Sequence, residues 1–333
     1  MRTAPPDTAL LKHGSITEKG QERVGSAELW QNAEWFDDWY AIERIDAQSI
    51  AIGEPRYWQY QVSYLLLGAS RAILFDSGSG KRDIRPVVEA LTSLPVTVIF
   101  SHAHFDHAGN HHRFDSVAMF DHASLRERVT DGHFWPTLAQ YYKVGRPRIA
   151  VSEWWEADET VDLGGRELEI VPVPGHAPES IALLDRERHQ LYTGDFIYNG
   201  ELLVTDLERC LESTTTLISR TDGDETLFGA HGFPRMPYER LEELQRLLRA
   251  IQKGEVNPKP SFNYLLPQRR AKGGNVDLSL PRLTLLWIPT PFLFVGLIVV
   301  LLTLVVALVA SWLYVTLFFV IIAVVVYYSI INL

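Results

Sequence analysis

A run of potential metal ligands follows an apolar segment and sets the strongest limit on how this chain can fold. Residues 96–100 (VTVIF) predict a buried strand, and residues 101–107 (SHAHFDH), directly after it, contain three histidines and one aspartate. Imidazole and carboxylate groups at such short spacing are the ligands of transition-metal sites. Without a cation, these side chains would repel one another or compete for solvent at the exit of a buried strand. The run therefore indicates a metal-dependent hydrolase whose site is built on strand ends.

Four further segments end an apolar stretch in a polar, glycine-containing turn. They are residues 72–78 (AILFDSG), 171–176 (VPVPGH), 191–195 (LYTGD) and 227–232 (LFGAHG). Together with the run at 101–107, and in this order, they resemble the motifs of the metallo-β-lactamase superfamily. The resemblance extends over about residues 60–235 and implies an α/β fold, the αββα sandwich in which two mixed β-sheets are flanked by helices.

The same resemblance assigns seven side chains to a two-metal centre. The first metal would be held by His102, His104 and His176. The second would be held by Asp106, His107 and His231, and Asp195 would bridge the two. Two Zn²⁺ ions are expected, with iron or manganese as alternatives, because these ligand types suit catalytic zinc. Two metals roughly 3.5–4 Å apart share a hydroxide, and bound water then has a pKa near 7.

The resemblance also implies catalytic roles. The bridging hydroxide would attack a substrate carbonyl, with Asp106 or Asp195 orienting it, and Tyr198 would donate to the oxyanion. Tyr198 is alternatively a residue of the core edge. Cys210, the only cysteine, is expected to be a small buried residue and not a nucleophile. Asp76 has two interpretations, as a support for a metal-bound histidine or as a turn residue at a strand end.

Six histidines lie outside the proposed ligand set. Of these, His111 and His112 follow the metal motif and are interpreted as solvated or pocket-edge residues. His133 lies in an aromatic segment that would suit a substrate-facing loop. Residues 116–157 as a whole are rich in aromatics, and the insertion before His176 is where members of the superfamily vary their substrate pocket. Core packing is the competing explanation for these aromatic residues.

The C-terminal tail is the second long signal in the sequence. Residues 283–333 contain no charged side chain, whereas one membrane span needs only about 20 apolar residues. The length favours a transmembrane hairpin with helices over 291–309 and 313–331 and a turn near 310–312. One long tilted helix, or one span with an interfacial piece, is the alternative.

Flanking charge and composition predict the domain organisation. Six lysines and arginines lie within residues 253–282 and none follows the tail, so the positive-inside rule places the catalytic part on the cytoplasmic side of the membrane. The N-terminus has no apolar stretch that would serve as a signal peptide. We expect a flexible N-terminus over 1–27, a hydrolase domain over 28–253, a linker over 254–282 and the transmembrane segment over 283–333.

Charge and motif context narrow the substrate. A net charge of −10 argues against a nucleic-acid substrate, because phosphate binding needs clustered lysine and arginine. Residues 102–115 and 175–203 resemble acyl-CoA thioesterases of the superfamily, although the membrane anchor is a departure from them. The expected activity is hydrolysis of a small-molecule thioester or ester, with acyl-CoA at the membrane as the suggested substrate.

Alternative functions use the same ligands. A lactonase or a glyoxalase-II-like hydroxyacylglutathione hydrolase is the main alternative. A β-lactamase is disfavoured by the missing export signal, and a one-iron persulfide dioxygenase by the full two-metal set. From another class, the chain could be a membrane-tethered binding protein without catalysis. The sequence leaves the acyl group, the metal and the oligomeric state open.

Overall fold

The computed structural model of the chain describes residues 32–136, 147–232, 234–263, 266–281 and 290–331. The N-terminal segment 1–27, which we predict to be flexible, lies outside the described residues, as does part of the aromatic insertion. The chain divides into a large α/β unit and a second unit that contains the C-terminal apolar helix.

Strands and helices alternate through the α/β unit. The strands are β1 (Glu34–Trp35), β2 (Ala41–Arg44), β3 (Ser49–Gly53), β4 (Val62–Leu67), β5 (Ala72–Phe75), β6 (Val96–Ile99), β7 (Ser116–Phe120), β8 (Val129–Thr130), β9 (His133–Phe134), β10 (Ile149–Ala150), β11 (Glu153–Trp155), β12 (Thr160–Asp162), β13 (Glu167–Pro172), β14 (Ile181–Asp185), β15 (Gln190–Gly194), β16 (Glu201–Leu203), β17 (Thr226–Gly229), β18 (Lys259–Asn263), β19 (Leu266–Gly273) and β20 (Val276–Pro281). The α-helices are α1 (Arg85–Leu91), α2 (Phe105–Ala108), α3 (Ala123–Arg126), α4 (Leu207–Arg220), α5 (Glu239–Gln252) and α6 (Thr290–Ile331), and one 3-10 helix covers His111–Arg113.

Two large mixed sheets carry the metal motifs. The first has the strand order β1-β2-β3-β4-β5-β6-β7-β11 and the second β12-β13-β14-β15-β17. In the first sheet β5, β6 and β7 run parallel, and in the second β15 and β17 run parallel. Because the carboxyl ends of parallel strands meet at one edge of a sheet, the segments that follow β5 and β6 lie side by side. The same holds for the segments that follow β15 and β17.

The two sheets share one core, and the helices cover them. The rings of Tyr64 on β4 and Tyr192 on β15 pack with their centroids 5.0 Å apart. Ile170 on β13 belongs to this shared core, whereas its neighbour Val171 belongs to a second core with leucines of α4 and α5. Consecutive residues of a strand point to opposite faces, so the second sheet is buried on both sides. Helix α1 contributes Val87 to the shared core. The predicted αββα sandwich is therefore confirmed.

The predicted linker at 254–282 is wrong, because it folds as part of the α/β unit. Strands β18, β19 and β20 form a four-stranded sheet with β16, in the order β16-β20-β19-β18. Val276 and Leu278 alternate along β20 and are fully buried in the second core, beside Leu247 of α5. Proline and glycine in this segment favour a linker, but the alternation of apolar residues in 276–280 is the pattern of a half-buried strand.

The apolar tail contains one continuous helix in place of the predicted hairpin. Helix α6 runs through residues 310–312, where we expected the turn. Ser311 Oγ donates to Ala307 O at 2.8 Å, so its side chain bonds within the helix instead of breaking it. No proline or glycine occurs near this point to end a helix. Residues Gly296–Val324, with a mean hydropathy of 2.7, are long and apolar enough to cross a membrane.

Candidate metal centre

The seven predicted ligands come from four strand ends and meet at one place. His102 and His104 follow β6, and Asp106 and His107 lie in the short helix α2 directly after them. Of the other three predicted ligands, Asp195 directly follows β15, His176 lies shortly after β13 and His231 lies shortly after β17. Three overlapping groups of these side chains bring their ligand atoms within 4.8 Å of one another. The sheet topology thus assembles side chains that lie up to 129 positions apart in the sequence.

The first group consists of three imidazoles. His104 Nδ1 lies 2.7 Å from His102 Nε2 and 3.2 Å from His176 Nε2. Two ligands of a tetrahedral zinc, at 2.0–2.1 Å from the metal, lie roughly 3.3 Å apart. The nitrogen atoms of this group therefore have the spacing of ligands to one cation.

Asp195 lies between the first group and a second group formed by Asp106, His107 and His231. Its Oδ2 is 3.6 Å from His176 Nε2, and its Oδ1 is 3.4 Å from His107 Nε2 and 3.0 Å from His231 Nε2. Asp106 lies 3.9 Å from each of the two imidazoles of the second group. One oxygen of Asp195 thus faces each group, as a bridging carboxylate requires.

The outer nitrogens of the imidazoles have partners that fix the ring orientation. His107 Nδ1 lies 2.8 Å from Asp76 Oδ2, while His176 Nδ1 and His231 Nδ1 lie 3.0 Å from the carbonyl oxygens of Leu203 and Gln59. A ring that donates through Nδ1 keeps the lone pair of Nε2 for a metal. These outer partners therefore select the tautomer that a metal site needs.

Asp76 supports the site from the end of β5. Besides contacting His107, its carboxylate accepts hydrogen bonds from the backbone N and the Oγ of Ser101, at 2.6 and 3.1 Å. Its φ of 63° lies in the left-handed region, which a non-glycine residue adopts at some cost. This geometry favours the interpretation as support for a metal-bound histidine, since a simple turn residue would not need to be buried.

Burial and charge divide the histidines into two kinds. Burial, followed by the neighbouring histidines, holds the pKa of His102 and His104 well below the usual range, so both are neutral. Burial also lowers the pKa of His107 and His231, but carboxylates, with Asp195 first, outweigh it and raise both. Burial would raise the pKa of Asp195, but His231 and His107 hold it well below its usual range. The carboxylates thus attract positive charge to the centre.

The donor set fits a metal. Among the described residues, His107 Nε2 and Asp195 Oδ1 are buried atoms that make no hydrogen bond of good geometry, although they lie 3.4 Å apart. Unpaired buried polar atoms are costly, and two that face each other at this spacing are explained by a cation between them. Neutral imidazole and carboxylate are the ligand forms that zinc takes.

Tyr198 lies at the site, but its hydroxyl group has another partner. The hydroxyl donates to the carbonyl oxygen of Glu201 at 2.5 Å, and the ring centroid lies 5.0 Å from that of His231. Burial, followed by the charges of Asp195 and Glu201, raises the pKa of the hydroxyl. An oxyanion donor would have to give up the bond to Glu201, so this conformation favours a packing role.

We therefore expect Tyr198→Phe to keep most of the activity. The phenyl ring preserves the contact with His231, whereas loss of an oxyanion donor costs about 100-fold or more in kcat. The measurement is kcat for the substrate that the wild-type protein turns over. We expect kcat to fall less than about fivefold. A hundredfold fall in kcat would show that the hydroxyl group of Tyr198 acts as an oxyanion donor.

The histidines outside the ligand set have mixed outcomes. The expectation for His111 is wrong, since its ring is fully buried against Phe100, and Nδ1 lies 2.7 Å from Ser77 Oγ. The apolar surroundings lower the pKa of His111 to about 3. His112 is exposed, as a solvated residue would be. His133 lies 2.7 Å from Asp131 O, through Nδ1, and its substrate-facing role stays a prediction.

Glu54 is a residue of the site's surroundings that the sequence analysis did not identify. It is buried and accepts hydrogen bonds from Ser79 N, Ser79 Oγ and Trp39 Nε1 at 2.7, 2.6 and 2.8 Å. Burial raises its pKa in spite of these bonds. Glu54 thereby holds the turn that follows Asp76. No local pattern marks it, because its partners lie 15 and 25 positions away.

Comparison with known proteins identifies the class. A family model described as the metallo-beta-lactamase superfamily matches residues 56–256, and the chain belongs to this superfamily. A metallo-beta-lactamase from Pontibacter korlensis superposes with a TM-score of 0.50 at 18% identity, over 63% of this chain and 99% of that one. That likeness agrees with the sandwich fold.

Two named groups of enzymes are among the similar sequences. An acyl-coenzyme A thioesterase, MBLAC2, from Homo sapiens is 24% identical over 201 residues, covering 50% of this chain and 69% of its own. Its counterpart from Gallus gallus is 27% identical over 190 residues, with the same coverage. The hydroxyacylglutathione hydrolase GloC from Haemophilus influenzae is 26% identical over 174 residues, covering 48% of this chain and 79% of its own. The chain is thus a superfamily hydrolase with similarity to thioester-cleaving enzymes.

Proposed function

We propose that this protein is a two-metal hydrolase that cleaves acyl thioesters, with acyl-CoA as the preferred substrate class. The observation that carries the proposal is the position of Asp195, whose two oxygens face the two groups of ligands at 3.0–3.6 Å. A carboxylate in this position can contribute one oxygen to each of two metals, which supports a two-metal centre over a one-metal centre. The roles of Asp106 and Asp195 as catalytic residues belong to the same proposal.

The residues of the chain divide the work of hydrolysis between them. The three imidazoles of the first group and the side chains of the second would hold one metal each, with Asp195 between them. Metals there would supply an activated water at neutral pH and positive charge for the carbonyl oxygen. Asp106 and Asp195, both buried, would accept a hydrogen bond from the attacking water and fix its direction.

The similar enzymes support a thioester over other substrates. MBLAC2 is named as an acyl-CoA thioesterase and GloC as a hydroxyacylglutathione hydrolase, and both substrates are thioesters. The apolar helix α6 supports the acyl-CoA branch, because a membrane concentrates acyl chains. A hydroxyacylglutathione hydrolase or a lactonase is the second candidate, and GloC is the finding that favours the former.

Membrane attachment and orientation are part of the proposal. Helix α6 would anchor the chain in the bilayer, and the basic residues before it would keep the catalytic unit on the cytoplasmic side. Protease treatment of sealed vesicles checks this orientation. Digestion of the α/β unit only from the cytoplasmic face is expected, and protection from that face would contradict the proposal.

A cleft beside the metal centre suits an acyl chain. Its volume is about 290 Å³, and its walls include the two neighbours of His176, Gly175 and Ala177. The remaining apolar lining comes from Phe120 and from prolines at positions 172, 174 and 178, and the polar lining consists of His122, Thr205, Asp206 and Arg209. The volume is near the lower limit for ligand pockets, and a mostly apolar lining with some polar groups is typical of them.

Narrowing the cleft should change the preferred chain length. Arg209 is exposed on α4 and lines the cleft, so Arg209→Trp places an indole there without burying a new group. We expect kcat/KM for long-chain acyl-CoA to fall about tenfold relative to a short-chain substrate, within the range for steric discrimination in apolar pockets. Glu208→Trp, on the same helix and outside the cleft, is the matched control. A chain-length profile equal to that of the wild type would exclude this cleft as the acyl site.

The activity itself is tested on the full-length protein in detergent. Free thiol is measured after addition of acyl-CoAs of increasing chain length, of S-acyl glutathiones and, by ring opening, of lactones. We expect the wild-type protein to release CoA. This release should be lost in His104→Ala and retained in the exposed control His112→Ala. If the protein binds metal but cleaves no thioester, lactones would become the favoured substrate class. If the protein binds no metal and cleaves none of these substrates, the result would favour a membrane-tethered binding protein.

A further inference from the structure

Strand β16 is in contact with both halves of the metal centre. The carbonyl oxygen of Leu203 lies 3.0 Å from His176 Nδ1. The carbonyl oxygen of Glu201 accepts the hydroxyl proton of Tyr198, whose ring packs on His231. The orientation of His176 therefore depends directly on where this three-residue strand lies, whereas His231 is reached only through the ring of Tyr198 and has its own Nδ1 partner in the carbonyl oxygen of Gln59.

Strand β16 is held in place by the C-terminal sheet. It lies at the edge of that sheet and pairs with β20, where Glu201 is opposite Asp277 and Leu203 is opposite Ser279. Immediately after the strand, Val204 N donates to Ser279 O at 2.9 Å. A strand of three residues offers few backbone bonds, so its position needs further support.

Arg270 on β19 supplies that support across β20. Its guanidinium lies 2.5 Å from Glu201 Oε2 and 3.7 Å from Asp277 Oδ2. The Glu201 side chain is only 11% exposed, and its other oxygen is buried and makes no hydrogen bond of good geometry with the residues that the structure describes. Burial raises the pKa of Glu201, and Arg270 opposes this. One cation thus holds together two carboxylates that would otherwise repel each other between β16 and β20.

We propose that Arg270 is a positioning residue for His176, acting through its ion pair with Glu201 and the carbonyl oxygen of Leu203. Strands β19 and β20, which precede the apolar helix in the sequence, then help to position a ligand of the metal centre. The inference rests on the proposed metal centre and is independent of which substrate is cleaved. Glu201→Gln is expected to act like loss of Arg270, because both break the same ion pair.

The test is cobalt binding to the metal-free, full-length protein in detergent, followed by visible absorption. For Arg270→Met we expect one of two cobalt-binding steps to weaken about 10- to 100-fold, the usual cost of losing an outer partner of a metal ligand. The other step should stay as in the wild type. Arg269→Met is the matched control, because Arg269 is its neighbour on β19 and bonds to Pro258 O instead.

Two further variants separate positioning from folding. Arg270→Lys keeps the charge and should restore most of the affinity, whereas Glu201→Gln should weaken the same step as Arg270→Met. Loss of both steps together, with a fall in the melting temperature of the metal-free protein, would show that Arg270 only holds the fold and would overturn the inference. Two unchanged steps in Arg270→Met would overturn it as well. A wild type that binds no cobalt would instead contradict the metal centre itself.

Discussion

Replacing Asp195 with asparagine is expected to lower thioester turnover more than a hundredfold and to reduce the bound metal from two ions per chain. Asparagine keeps the shape of the side chain but removes the charge that faces both ligand groups at 3.0–3.6 Å. Loss of an outer partner of a metal ligand already costs about 10- to 100-fold, so loss of a shared ligand should cost more. The measurements are kcat and metal content on the same sample.

The control for this variant is an exposed aspartate that lies away from the site. Asp224 has a side chain that is 67% exposed and pairs with His189, so Asp224→Asn should behave as the wild type. Full activity in Asp195→Asn, with two metals still bound, would rule out a bridging role. Equal losses in both variants would indicate a general effect of charge.

Replacing Arg166 with methionine is expected to destabilise the fold by about 3 kcal/mol or more, the usual cost of breaking a buried ion pair. Arg166 is fully buried, and its Nε donates to Asp185 Oδ2 at 2.7 Å. Further hydrogen bonds reach Gln48 O, Leu67 O and Ser49 Oγ in the first sheet. Methionine leaves Asp185 buried without its main partner. Urea unfolding followed by tryptophan fluorescence measures the change.

Two companion variants check the cause of the loss. Arg186→Met removes a guanidinium that is 54% exposed and pairs with Glu169, and it should cost less than about 1 kcal/mol. Adding Asp185→Leu to Arg166→Met should recover part of the stability, because the unpaired carboxylate is then gone. If Arg166→Met and Arg186→Met destabilise equally, burial gives the Arg166–Asp185 pair no larger effect on stability than an exposed pair has.

The predicted ligand set came from the resemblance to a known superfamily, and the structure brings its seven side chains to one place near the ends of apolar strands. Four ligands lie within residues 102–107, and the strand preceding them is recognisable by its composition. The ends of the parallel strands β5 and β6 meet at one edge of the first sheet, and those of β15 and β17 meet at one edge of the second. The outer partners were harder to find, since the carbonyl oxygens of Leu203 and Gln59 carry no side-chain signal.

Two errors had the same physical origin, the use of local composition where tertiary contacts decide. The segment 254–282 contains proline and glycine, but burial of Val276 and Leu278 against α5 makes it part of the fold. His111 follows the metal motif and could equally have been solvated, yet the core around Phe100 encloses it. The hairpin was a different error, since length alone suggested a turn that no helix-breaking residue provides.

Metal content of the purified full-length protein tests the central claim most directly. The protein is stripped with a chelator, reloaded with Zn²⁺, passed through a desalting column and measured by mass spectrometry. Two zinc ions per chain, falling in Asp195→Asn and unchanged in Asp224→Asn, are the predicted result. No retained zinc in the wild type, or the same amount in all three proteins, would contradict a metal centre at these seven side chains.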